Sequence, residues 1–460
     1  MVPDLGRSNF APGDVVSAGS ETTVPSLRRK ILKHKQQLGE AYIALLLFMV
    51  VYCARPEDWI PGLSSVPLAK IAGVLALVAF LLSLDQIRQR LPREVIFVIL
   101  LTGQLFLTVP MSSVWRGGAF NTTLDFAKVV LIVLVMVMAV NTAPRLRRLL
   151  YIQAASVAAI SAVAVWKGRV LGGRLEGVLN GNYSNSNDLA VSIVISLPLC
   201  LALLFLSKSA VWRAAWALAM VIMAYATLLT GSRAGFIALA ITAGVCLWEF
   251  AIRGRRLYLV ALTGVLVVVL LVASGSTLGD RLRDTFSSDD PSSSTAYTSS
   301  QQRQQLLWRS LEITAKHPLF GVGPGNFPIV SGSWHVTHNS YTQMSSEGGI
   351  PALIFYVAIL WCGFKNLERT RKFSSGNTQV KLLAGALRAS LAGFVVGSLF
   401  ASYAYQFFPY FLVAYTTVLL RIAKGHAAQP KQTQPAYRTE LEPLQADAIE
   451  PELTWHRAEI

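Results

Sequence analysis

Charge is what this chain has least of. Only 14% of its 460 residues are Asp, Glu, Lys or Arg, against 53% hydrophobic, and the mean hydropathy is +0.48. A chain this poor in charge cannot build the polar surface that an ordinary soluble domain requires. Cysteine is also scarce. Cys53, Cys200, Cys246 and Cys362 lie within or at the ends of apolar runs and show no CxxC spacing. That excludes a disulfide framework and a cysteine-based metal site, and leaves small buried apolar residues. A cleavable leader is not expected either. Arg28, Arg29, Lys30, Lys33 and Lys35 precede an apolar run that starts only near Ala41, so the first run itself directs insertion. The formal charge of +16 comes from Lys and Arg clustered between apolar runs, not gathered on one face. Such clusters are topology signals, and they argue against nucleic acid as a partner.

Apolar runs, by contrast, are abundant. They fall at 40–54, 66–84, 94–111, 121–142, 149–166, 188–206, 212–231, 234–251, 257–274, 342–363, 382–403 and 406–422. A bilayer core takes about 20 residues of helix. The expected fold is therefore all-α and polytopic, with about twelve transmembrane helices of which the first and fifth are short. Residues 1–39 and 423–460 are polar, without an apolar period, and are expected as disordered tails around a membrane domain at 40–422.

Counting Lys and Arg in alternate short loops gives sixteen on one side and six on the other. Basic loops stay in the cytoplasm. Both termini are thus expected there, with residues 275–341 forming a large loop on the opposite face.

On that face, four places carry polar residues that a membrane setting does not demand. In KGRVLGGRLEGVLNGNYSNSND (167–188), Asn187 and Asp188 fit either helix caps or ligands, and Arg174 fits either an exposed loop or a site. In TGSRAG (230–235), Gly231 and Gly235 suit close helix packing, but Arg233 sits at a membrane boundary, where an arginine is usually paired or functional. Aromatic YAYQFFPY (403–410) reads as an interfacial belt.

The fourth place is the long polar interruption from Arg303 to Gly349. After a polar linker at 287–300, residues 301–316 read as a helix with Leu307, Leu311 and Ala315 on its inward face. Arg303 shares that face and Arg309 does not. His317 and Pro318 end the helix. Gly321, Gly323 and Gly325 then permit either an anion-cradling loop or a plain turn. His335, His338, Asn339 and Tyr341 follow. HxxH plus Glu347 is short of ligands for a metal, whereas a neutral imidazole is suited to take a proton near pH 7. Tyr341 also fits an interfacial anchor.

GSRAG at 231–235, Arg303 ahead of LLW at 306–308, HPLFGVGPGNF at 317–327 and HNSY at 338–341, in that order across 41–421, resemble the O-antigen ligase and polymerase family. YCARPEDWIPG at 52–62 is similar to a subgroup associated with exosortase and exopolysaccharide clusters. The resemblance implies a GT-C-like fold in the bacterial inner membrane. It also implies an inverting glycosyltransferase without metal or cofactor, acting on the periplasmic face. An undecaprenyl-diphosphate-linked glycan would be the donor, and a hydroxyl of lipid A-core, of a growing glycan or of a protein the acceptor. It implies His338 as general base and Arg233, Arg303 and Arg174 as diphosphate ligands. His317, Gly321, Gly323, Gly325, Asn339 and Tyr341 would then support the site. The family form also expects a Pro-Asn pair ahead of the sixth run, where this chain has NSND at 185–188. The rival reading is a flippase for lipid-linked sugars, which would place ionisable residues near the bilayer midplane in repeated halves. Here they gather on one face, and no internal repeat is visible.

Overall fold

The computed structural model describes residues 23–428 apart from 61, 64, 83–90, 113, 169, 172–173, 177–182, 184, 274–294 and 375. The architecture is all-α. In chain order the helices are α1 (Thr23–Ala54), α2 (Pro56–Trp59), α3 (Leu68–Leu81), α4 (Arg93–Met111), α5 (Arg116–Ala139), α6 (Ala143–Lys167), α7 (Ser186–Leu206), α8 (Ala210–Leu229) and α9 (Arg233–Cys246). A π-helical turn, Leu247–Ile252, prolongs α9. There follow α10 (Tyr258–Ala273), α11 (Thr295–Lys316), α12 (Phe327–Val330), α13 (Ser340–Phe373), α14 (Thr378–Gly397) and α15 (Phe407–Ala428). Two-residue strands β1 (Val170–Leu171) and β2 (Arg174–Leu175) pair antiparallel between α6 and α7.

Among the described residues each of the twelve apolar runs falls largely on a helix. Among the described residues ten helices are long and apolar enough to cross a membrane, while Leu68–Leu81 and the helix from Tyr258 are shorter. The protein is a multi-pass membrane protein. The short elements are thus the second and ninth, not the first and fifth: α1 and α6 have 32 and 25 residues. Both helices continue through basic residues that an apolar count stops at. Arg and Lys are good helix formers, and Pro144 starts α6 where its missing N–H costs nothing. Residues 23–39, expected as tail, are helical, as is the stretch to Ala428. The remaining tail residues, and 287–294 of the polar linker, lie outside the described residues.

α7, α14 and α15 form the centre of the bundle, being buried over 72%, 72% and 78% of their apolar windows, whereas α8 is at the rim with 28%. Small residues let the central helices approach. A Cβ on Gly235 would stand 2.7 Å from Ala190 Cβ, and one on Gly393 would overlap Thr242 Oγ1. Gly231 serves differently: its φ of +55° makes the turn between α8 and α9.

α13 is broken. Gly349 adopts φ +80°, ψ 174°, and Pro351 follows, so the ladder is interrupted and backbone groups are released inside the bundle. Residues 318–323 satisfy them. Ile350 N–H donates to Pro318 O (2.7 Å), Val322 N–H to Ser346 O (2.9 Å) and Gly323 N–H to Glu347 O (2.9 Å). Gln104 Nε2 of α4 donates to both Leu319 O (2.8 Å) and Gly348 O (3.0 Å). Irregular backbone at membrane depth is tolerated only when buried in protein and paired in this way.

Candidate functional site

The suspect polar residues meet where α7, α9, α13 and α15 begin and α8 and α14 end. The α8–α9 turn is the first component. Ser232 caps α9, its Oγ accepting from Gly235 N–H at 3.1 Å, and Arg233 is the first residue of that helix. Arg174, on β2, braces the turn from outside. Its Nε donates to Thr230 O (2.9 Å) and its Nη2 to Asn187 Oδ1 (3.1 Å). Ser232 Oγ donates to the same Asn187 oxygen at 2.7 Å. Expected as a third diphosphate ligand, Arg174 thus has two of its nitrogens engaged in holding the turn that presents Arg233. The cap of α7 is Asn185, which accepts from Asn187 N–H at 2.9 Å. Asn187 itself is a bridge, not a cap.

α11 supplies the second component. Its buried face is Leu306, Ser310 and Ile313, of which Leu306 and Ile313 pack with Val322 and Phe327, and Thr314 Oγ1 meets Ser345 Oγ of α13 at 2.9 Å. The expected stripe of Leu307, Leu311 and Ala315 is displaced by one position. Leu311 is exposed, as is Trp308 next to it, so apolar spacing alone did not distinguish the protein side from the outward side. Arg303 lies one turn before Leu306 on the buried face, half-buried, whereas Arg309 is exposed and pairs with Glu312 at 2.7 Å. Burial, and then the positive charge of Arg233, hold the Arg303 guanidinium below its ordinary range. The two arginines, far apart in sequence, are therefore within each other's field. Among the described residues neither has a carboxylate or hydrogen-bond partner.

The third component is the segment ahead of α13. Asn339 caps that helix by accepting from Tyr341 N–H (2.9 Å) and Thr342 N–H (3.1 Å). Ser340 locks onto the α14–α15 turn: its N–H donates to Ser398 O (2.8 Å) and its Oγ to Ala401 O (2.6 Å). Tyr341 hydroxyl donates to Val395 O at 2.9 Å and accepts from Ser398 Oγ at 3.1 Å. His338 then takes φ +53°, an uncommon conformation for a residue with a Cβ, held by its N–H donating to Ser402 Oγ at 2.9 Å. Burial, then Arg303, then His335 lower the imidazole from 6.5 to about 4. Each cause disfavours the cation, so the ring is neutral at pH 7 and free to accept a proton. Among the described residues it has no hydrogen-bond partner. His335 and His317 are exposed.

The glycine loop holds a carboxyl group, but one of the chain's own. Glu347, buried in α13, accepts from Gly325 N–H (Oε2, 3.0 Å) and Phe327 N–H (Oε1, 3.4 Å). Gly321 N–H goes to His317 O and Gly323 N–H to Glu347 O, each at 2.9 Å. These donors are occupied, so the loop is a plug for the broken helix and not a cradle for a ligand. Positive φ at Gly321, Gly323 and Gly325, and a Cβ at Gly321 that would meet Glu347 backbone at 2.4 Å, explain the glycines. Among the described residues no three His, Cys, Asp or Glu gather as metal ligands do.

The aromatic turn at 403–410 is not an interfacial belt. Tyr403 is buried, its hydroxyl donating to Asp188 O at 2.5 Å and meeting Ser192 Oγ at 3.0 Å. Phe407 N–H donates to Tyr52 hydroxyl at 3.2 Å, which ties the YCARPEDWIPG stretch to the same turn. Sequence reasoning singled out Asn187 as a cap or ligand but not as a bridge, and it missed Ser402 and Asn326. Asn326 Nδ2 donates to Ser112 Oγ at 2.6 Å and fastens the plug to the α4–α5 connection. Only the repeated Asn in 180–187 and the GNF triplet hinted at such roles.

Residues 218–357 match a family model described as O-antigen ligase. No curated protein matches the chain. The matched segment runs from α8 into the second half of α13. It holds Arg233, Arg303, His338 and the glycine plug but not Arg174. It implies a glycan-transferring role at a membrane.

Proposed function

We propose that this chain, which residues 218–357 assign to the O-antigen ligase family, moves a glycan from an undecaprenyl-diphosphate carrier to an acceptor hydroxyl at the His338 end of the bundle. One observation carries the reading. Among the described residues two arginines from separate elements, Arg233 and Arg303, have no partner and stand within each other's field, and Arg303 also acts on a neutral histidine. Like charges brought together with no acid among the described residues ask for an external anion, and guanidinium groups suit the oxygens of a diphosphate. In the reaction the acceptor oxygen bonds to the anomeric carbon as the carbon–oxygen bond to the diphosphate breaks. The electron pair leaves with the phosphate between the arginines, and the acceptor proton passes to His338. Attack opposite the leaving group inverts the anomeric centre. No metal is required in this scheme, because the arginines neutralise the leaving charge.

An imidazole near 4 is a weak base, but the donor corrects this. Burial is the largest cause of the fall and stays, but a diphosphate beside Arg303 offsets that arginine's share, so the basicity of His338 rises when substrate is in place. The positive-inside count supports an inner-membrane protein with cytoplasmic termini and a periplasmic site. Acceptors on lipid A-core, a growing glycan or a protein would all meet the same base. Surface glycans of a deletion strain distinguish them through a lost lipopolysaccharide ladder, single-repeat products or unglycosylated protein.

In a reconstituted assay, His338→Ala loses transfer, roughly 10²- to 10⁴-fold for one general base, while donor binding persists. Arg233→Ala and Arg303→Ala lose donor binding. Full activity of the histidine variant, or unchanged donor affinity in both arginine variants, refutes the assignment.

A further inference from the structure

The opposite end of the bundle carries more positive charge than its buried acid can neutralise. Glu249 stands in the π-helical turn beyond α9, a geometry often found at functional sites. Its side chain is 9% exposed, and three arginines from three elements converge on it. Arg371 of α13 bonds it directly, Arg253 Nη1 approaches to 3.5 Å and Arg388 Nε of α14 to 3.8 Å. Arg371 and Arg388 are themselves largely covered, and Arg388 Nη2 is buried without a hydrogen-bond partner. Glu368 acts on Arg371 and Arg388 only at a distance, being exposed and paired with Lys365; one buried carboxylate cannot satisfy three guanidinium groups, and an unpaired buried cation is costly.

A cavity of about 420 Å³ opens beside this cluster. Arg253, Arg256, Arg371 and Lys381 line it with Glu249 as its single acid, so four positive charges less one negative leave +3, and Phe250 supplies an apolar wall. Its elements are the turns closing α9 and α13 and those opening α14. It therefore lies where a membrane-spanning helix meets the headgroup layer.

We propose that this cavity binds the phosphate of an anionic glycerophospholipid, whose oxygens supply the acceptors that Glu249 alone cannot. Charge complementarity names an anion, and the apolar wall at the membrane boundary selects a lipid over a soluble phosphate. The site is separate from His338 and does not depend on the chemistry assigned there.

The test is native mass spectrometry of delipidated full-length protein titrated with phosphatidylglycerol, with phosphatidylcholine in parallel. Phosphatidylglycerol is retained in preference. Arg253→Gln with Lys381→Gln, both at exposed positions, weakens it about 30-fold, and Lys381→Gln alone about 5-fold. Equal retention of the two lipids, undiminished affinity in both variants, or displacement of the lipid by millimolar inorganic phosphate overturns the proposal.

Discussion

Replacing Arg303 by glutamine keeps most of the side chain's bulk and removes its charge. In the native protein His338 is brought from 6.5 to about 4, a fall of about 2.5, with burial the largest cause and Arg303 second of three. All three act in the same direction, so Arg303 accounts for less than half. Its removal makes the imidazolium cheaper, and the ring should hold its proton to higher pH. The midpoint moves up from about 4, by less than half of that fall. The readout is ¹³C-histidine NMR of the detergent-solubilised protein, with His338→Gln to assign the resonance. At pH 7 the ring is neutral in both proteins, so any loss of transfer by Arg303→Gln there reflects donor binding and not protonation of the base. A lipid diphosphate added to the native protein should raise the same midpoint. A native midpoint near 6.5, or one that stays at about 4 without Arg303, would refute the electrostatic picture.

Two further outcomes follow from the hydrogen bonds. Glu347→Ala strands the N–H groups of Gly325 and Phe327, each at a cost of about 1–3 kcal/mol. Thermal unfolding should fall well below that of Glu347→Gln, which retains one acceptor; equal losses would mean that the carboxylate does not hold the plug. Asn187→Ala removes the acceptor shared by Arg174 and Ser232, a charge-assisted bond worth about 1.5–3 kcal/mol. Asn187→Asp should recover most of that stability, and a variant no better than alanine would show that the bridge is not what steadies the α8–α9 turn.

The helices were legible because each apolar run is long and bounded by charge, and Arg303 could be separated from Arg309 by angle alone. What was hidden depends on pairs distant in sequence. Nothing in GVGPGNF announces that its N–H groups belong to Glu347 and to the backbone freed at Gly349, since a loop that binds an external anion has the same glycines. Arg174 misled for a similar reason: its partners, Thr230 and Asn187, lie in other segments. The buried stripe of α11 was misplaced because one side of that helix meets protein and the other is left outward, and Leu serves both.

The repair of the α13 break also bears on how the chain is made. Pro318, Val322 and Gly323 precede the groups they satisfy by only 24 to 32 residues, so plug and break leave the ribosome almost together. Closing so short a loop is entropically cheap. The interrupted helix can enter the bilayer already sealed, and the distant clamp from Gln104 is needed only when the bundle assembles.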